Sequence, residues 1–196
     1  IGGPPPSGVV TALTVGLGSI EEMARAAVAL AGHPLMKVKV DAENPADQVR
    51  AVRAAAPHAT LIVDANEAWT PELVRQMQPV LAEARVALLE QPLPAGQDAA
   101  LADVHPLVPI CADESCHTAT DVSGLANRYQ AVNIKLDKAG GLTAALDLLA
   151  AARAHDLIVM TGCMICTSLS VAPALHVASR SDFVDLDGPI WLAEDR

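Results

Sequence analysis

Lys37 and Lys39 stand one residue apart; Asp64, Glu90 and Asp113 each close an apolar run further along, and Lys135 ends the next. Three carboxylates at successive strand ends, with no His or Cys at matching positions, form a hard, all-oxygen donor set that suits Mg²⁺, or Mn²⁺, better than Zn²⁺. A dication there opposes the second negative charge that builds on a carboxylate when its α-proton leaves. The base must be neutral near pH 7, and an ammonium beside a second ammonium and a dication has its charged form disfavoured, which singles out Lys39 next to Lys37. Two amines on opposite sides of one carbon, Lys39 and Lys135, are what inversion of configuration requires. The residues therefore read as a metal site built for proton abstraction beside a carboxylate.

Such side chains converge only if the chain supplies a frame. Apolar β-type runs at 10–17, 35–40, 60–63, 86–89, 108–112, 131–136, 157–161 and 183–186 alternate with helical stretches at 20–31, 45–56, 71–84, 118–126 and 142–154. Ser19 before Glu21 and Glu22, Asn44 before Pro45 and Thr70 before Pro71 mark helix starts. Eight strands with crossovers predict a parallel (β/α)7β TIM-like barrel rather than the alternative, an open doubly wound sheet. The crossover after the fourth strand reads as short. Strand alternation puts Lys37 with Lys39, Asp64 with Asn66, Asn133 with Lys135 and Asp185 with Asp187 on shared faces.

With 196 residues, 52% of them apolar, one domain with a large core is expected. A net charge of −10 and only two Trp, one Tyr and one Phe argue against nucleic acid as a partner. Cys163 and Cys166 form a Cys-x-x-Cys that reads as buried small hydrophobes continuing a strand, in line with reduced thiols and a cytoplasmic default. The uncharged stretch 157–175 is broken by Gly162, Thr167, Ser168, Ser170 and Pro173 and so reads as strand, loop and short helix, with no membrane partner. The opening Gly2-Gly3-Pro4-Pro5-Pro6 reads as a linker.

Lys37-Val38-Lys39, Asp64-Ala65-Asn66, Glu90-Gln91-Pro92, Asp113-Glu114-Ser115 and the run Asn133 to Gly141 resemble, in order, the strand-end motifs of the muconate-lactonizing branch of the enolase superfamily. Use of a Lys or His base with Mg²⁺ is already established for that superfamily. Within the branch the chain is most similar to dipeptide epimerases of the L-Ala-D/L-Glu type. The resemblance implies Asp64, Glu90 and Asp113 as Mg²⁺ ligands, Lys39 and Lys135 as the acid/base pair, and Lys37, Thr14 and Cys163 as substrate contacts. It also implies that Asp185-Leu186-Asp187 binds the free ammonium group of a dipeptide. Charge favours the same assignment: two rim aspartates attract an amino-terminal cation and repel an acyl chain ending in a carboxylate.

Sibling activities stay open as alternatives, namely o-succinylbenzoate synthase, N-acylamino-acid racemase and muconate lactonization. So does an inactive truncated barrel that associates with another chain, and a homo-oligomer is a further expectation. Lys138 is expected on the opposite face from Lys135, in a helix-start or ion-pair role. The chain is expected to hold a linker remnant at 1–10 and the barrel at 11–196, without the capping domain and C-terminal segment that cover the mouth in this superfamily. Cys166 stands where related enzymes usually carry a glutamate.

Overall fold

The computed structural model describes residues 8–195; the linker motif at residues 2–6 lies outside them. Eight parallel strands follow one another in chain order as neighbours in a single sheet. They are β1 (Leu13–Val15), β2 (Leu35–Lys39), β3 (Thr60–Asp64), β4 (Val86–Glu90), β5 (Ile110–Ala112), β6 (Ala131–Lys135), β7 (Ile158–Gly162) and β8 (Phe183–Asp185). The sheet curls into a nearly closed barrel. At the seam between β8 and β1 the Ala12 N–H donates to Val184 O at 2.7 Å, and the Leu186 N–H donates to Thr11 Oγ1 at 2.7 Å.

The crossovers carry α1 (Ile20–Ala29), α2 (Pro45–Ala55), α3 (Pro71–Glu83), α4 (Val122–Leu125), α5 (Leu136–Ala139), α6 (Leu142–Ala154) and α7 (Ser168–Ala178). Ser19 closes a full capping box with Glu22, and Thr70 caps α3. Asn44 makes no side-chain cap; Asp41 Oδ1 takes the Glu43 and Asn44 N–H groups instead. The expected helix over 118–126 shrinks to α4, because Asp121 Oδ2 captures the His117 and Thr118 N–H groups in a local turn. Between β4 and β5 there is only a 3-10 turn, Ala99–Asp103. No helix among the described residues is long and apolar enough to cross a membrane.

Alternation divides each strand between two cores. Outward-facing Val38, Val63, Leu89, Ala112, Val132, Ile134 and Val159 pack under the helices. Inward-facing Leu35, Ile62, Leu88, Cys111, Ala131 and Met160 fill the barrel's lower interior. Two residues further along several of these strands, the same inward face carries Lys37, Asp64, Glu90, Asp113 and Asn133. A register shift between Leu61 and Ile62 pairs Ile62 with Leu88 and Asp64 with Glu90, bringing both strands' inward residues into phase. Cys111 and Cys116 are buried as small hydrophobes. Cys163 and Cys166 are not: β7 ends at Gly162, and both thiols lie half-buried in the loop that follows. That corrects the expectation of a continuing strand.

Candidate active site

A cavity of about 440 Å³ opens at the C-terminal mouth of the barrel, lined by Thr14, Lys37, Lys39, Lys135, Cys163, Asp185 and Asp187 among others. Asp64, Glu90 and Asp113 do not line it; they lie buried beneath. A larger cleft of about 570 Å³ sits at the strand starts, but its one charged lining residue, Asp182, is tied to Arg153 at 2.7 Å. The chemistry is concentrated at the mouth.

Lys37 organises the floor. Its ammonium lies 3.0 Å from Asp64, 2.8 Å from Glu90 and 2.8 Å from Asp185. Burial works against this charge, yet Glu90, Asp64 and Asp185 together hold the ammonium well above the ordinary lysine range. Lys39, with its side chain 30% exposed, donates to Asp64 Oδ2 and to Asn66 Oδ1, both at 2.6 Å. Burial raises the Asp64 carboxyl, but Lys37 and Lys39 outweigh it and bring it down to about 2.

Glu90 behaves differently. Complete burial, reinforced by Asp64 and later by Asp113 and Asp185, pushes its carboxyl up to about 8 despite Lys37. Its Oε1 accepts from Asn133 Nδ2 at 2.7 Å, whereas the buried Oε2 has no hydrogen bond and meets only the Lys37 charge.

On the far side Lys135 donates to Asp113 Oδ2 at 2.6 Å, and this pairing raises the lysine above its ordinary value although burial pulls the other way. Lys138, on α5, caps the same carboxylate at Oδ1 and also reaches the carbonyls of Asp113, Cys116 and Asn133. Lys138 is thus an ion-pair partner, and it touches the same aspartate as Lys135 from the helical side. The mutual attraction lowers Asp113 against the cost of its burial.

Among the described residues no three His, Cys, Asp or Glu side chains are arranged as a metal-holding group. Ammonium groups stand against the carboxylates instead, Lys37 touching both Asp64 and Glu90. The donor chemistry nonetheless fits a hard dication: the oxygens belong to buried carboxylates on adjacent strands, and Glu90 Oε2 makes no hydrogen bond and meets only the Lys37 charge.

Several neighbours stand within or beside the motifs without a role assigned from the sequence. Gln91, fully buried and at φ 30°, accepts the Asp113 N–H at 2.8 Å and the Ser115 N–H at 3.2 Å through Oε1. Its Nε2 donates to Leu93 O, Ser115 Oγ and Tyr129 OH. Asp98 Oδ2 closes this network by accepting from Ser115 and Tyr129, both at 2.6 Å. Glu114, Met164, Ile165 and Trp191 also line the cavity. Trp69 does not; it packs in the core with its indole N–H on Asp41 O. Burial pushes the Cys163 thiol up to about 12, even with the Gly188 N–H bonded to it, so it faces the cavity as a neutral group.

Residues 19–187 match the family described as Enolase C-terminal domain-like. The L-Ala-D/L-Glu epimerase of Escherichia coli (strain K12) is 52% identical over 193 residues, covering 97% of this chain and 60% of that protein. An N-acetyl-D-glutamate racemase from Pseudoalteromonas sp. is 44% identical over 187 residues, covering 95% of this chain and 59% of that protein. The crystal structure of a dipeptide epimerase from Enterococcus faecalis V583, complexed with Mg and the dipeptide L-Leu-L-Tyr, superposes with a TM-score of 0.91 at 31% identity, covering 98% of this chain and 58% of that one. The chain thus spans about three fifths of the length of the curated relatives it matches. Through its barrel, its strand-end motifs and these matches, the chain belongs to the Enolase C-terminal domain-like family of the enolase superfamily.

Proposed function

We propose that this barrel is the catalytic domain of a metal-dependent dipeptide epimerase that removes and returns the α-proton of the carboxyl-terminal residue, with L-Ala-D/L-Glu as the substrate type. The observation that carries the reading is one cavity walled by two lysines from strands four apart, Lys39 on β2 and Lys135 on β6, with Asp185 and Asp187 along its β8 edge. Amines on opposite walls address opposite faces of a carbon held between them.

Asp64, Glu90 and Asp113 would hold Mg²⁺, or Mn²⁺, which when bound supplies charge stabilisation for an enolized carboxylate. Lys37 stays protonated on the cavity floor and draws the substrate carboxylate toward it. Lys135, held charged by Asp113, is set to donate a proton, and Lys39 faces it from the opposite wall as its counterpart. Thr14 and Cys163 shape the cavity between them. Asp185 at the end of β8 and Asp187 just beyond it make the remaining edge anionic, which favours a free amino terminus over an acyl group ending in a carboxylate.

A second reading, racemization of an N-acylated amino acid, is favoured by the 44% identity to the N-acetyl-D-glutamate racemase. It shares every step at the α-carbon and differs only at the β8 edge.

The test is deuterium uptake from D₂O at the α-carbon of the glutamyl residue, followed by NMR for L-Ala-L-Glu, L-Ala-D-Glu and N-acetyl-glutamate with Mg²⁺ and with EDTA. Exchange of both dipeptide epimers should require metal. Lys39→Ala and Lys135→Ala should each abolish exchange from one epimer while sparing the other. Retention of both exchanges in either variant refutes the two-lysine assignment, and faster exchange of N-acetyl-glutamate refutes the dipeptide.

A further inference from the structure

The two aspartates of Asp185-Leu186-Asp187 are not equivalent. Asp187 Oδ2 already accepts two donors, the Thr14 N–H at 2.9 Å and the Trp191 indole N–H at 2.8 Å. Asp185 gives Oδ2 to Lys37 at 2.8 Å, while its buried Oδ1 has no hydrogen-bond partner and the residue lines the cavity. A buried carboxylate oxygen without a donor is costly, and a primary ammonium supplies the donor it lacks. Asp187 instead behaves as a strut that fixes the orientation of Trp191.

Trp191 is 52% exposed, Met164 52% and Ile165 79%, yet all three line the same cavity. Gly188 joins their two loops closely: a Cβ there would lie 2.7 Å from Met164 O and 3.0 Å from Cys163 Sγ. The loop after β7 and the turn after β8 therefore present one apolar surface beside Asp185. In a dipeptide the ammonium and the first side chain leave the same carbon. An ammonium seated on Asp185 turns that side chain toward this surface and away from the lysines.

We infer that Trp191 is a specificity-determining residue: pinned by Asp187, it forms with Met164 and Ile165 an apolar slot for the side chain of the substrate's amino-terminal residue. This deepens the dipeptide reading and rests on it. Loss of apolar contact in such a slot changes discrimination by about 10- to 200-fold.

The full chain with Mg²⁺ is given Leu-, Ala-, Gly- and Asp-L-Glu. Binding is read from indole fluorescence, with Trp191→Phe as the blank because Trp69 is buried, and turnover from α-proton exchange. The expected result is that Leu- and Ala-L-Glu exceed Asp-L-Glu at least tenfold in both readouts, and that Trp191→Ala brings the Leu-to-Gly ratio of kcat/KM to within about twofold, mainly through KM. Trp191→Phe, which keeps an aromatic side chain but loses the bond to Asp187, should retain a preference intermediate between the unaltered protein and Trp191→Ala. Equal affinities in the unaltered protein, or a Leu-to-Gly ratio that survives Trp191→Ala while both rates fall together, overturns the slot. An apolar preference in binding without any exchange supports the slot and defeats the epimerase reading.

Discussion

Replacing Gln91 by Met, nearly its isostere, removes five hydrogen bonds from behind Asp113 at almost constant volume. Ser115 Oγ and Tyr129 OH keep Asp98 as a partner. The Asp113 N–H, the Ser115 N–H and the Leu93 carbonyl do not; each loses its partner, the first and last in buried sites and Ser115 in a half-buried one, at about 1–3 kcal/mol for a buried group. Relief of the left-handed backbone at residue 91 offsets none of this, because Met is strained there too. Allowing for non-additivity, the loss is about 3–5 kcal/mol, a large share of an ordinary domain's stability. For a chain of this size it corresponds to a fall in Tm of about 6–20 °C. Calorimetry and urea titration measure it directly. Because Asp113 anchors both Lys135 and Lys138, the variant that remains folded should also bind Mg²⁺ at least tenfold more weakly by isothermal titration. A Tm within 2 °C of the unaltered protein together with unchanged Mg²⁺ affinity would refute the claim that Gln91 positions the end of β5.

Gly162→Ala tests the opposite wall: its Cβ would fall 2.7 Å from Asn133 Oδ1 and 2.9 Å from Nδ2, displacing the amide that donates to Glu90. Thermal unfolding should show a loss of about 1–3 kcal/mol, and Mg²⁺ affinity should fall several-fold. Cys163, whose thiol burial pushes up to about 12, should react with iodoacetamide at pH 8 at least about tenfold more slowly than a free thiol, since lost thiolate outweighs its greater nucleophilicity. Its rate should climb about tenfold per pH unit from pH 8 to 11, where an unperturbed thiol levels off near 9. Peptide mapping against pH checks this, and a plateau near pH 9 contradicts the assigned environment.

Much of the frame is visible in the chain itself, since near-continuous apolar runs ending in charge mark the strands, and strand alternation then gives the face each residue takes. Lys37, Asp64 and Glu90 take the inward face for that reason, although setting Asp64 level with Glu90 also takes the register shift at Leu61 and Ile62. The ion pairs are another matter. That Lys138 reaches Asp113 depends on a four-residue helix starting at Leu136, immediately after β6, which turns a residue expected on the far face back toward the site. The length of α7 is hidden by Pro173, which the helix tolerates in its interior. Gln91 is visible only as the middle of a motif, because its partner Asp113 is met across strands, and Trp191 escapes notice because nothing in its spacing marks the turn that brings its indole back to Asp187.

The seam between the last strand and the first joins residues such as Thr14 and Asp187, 173 positions apart, by isolated bonds rather than a continuous ladder. The loop that this contact closes is nearly the whole polypeptide, so closing the ring carries a large chain-entropy cost and few bonds to offset it. The same aspartate belongs to the edge proposed to receive the substrate. A dipeptide bridging that edge to the lysines would act as a rivet across the opening, coupling occupancy to the slowest breathing of the cylinder, as protection of the Ala12 and Leu186 amides from solvent exchange would reveal.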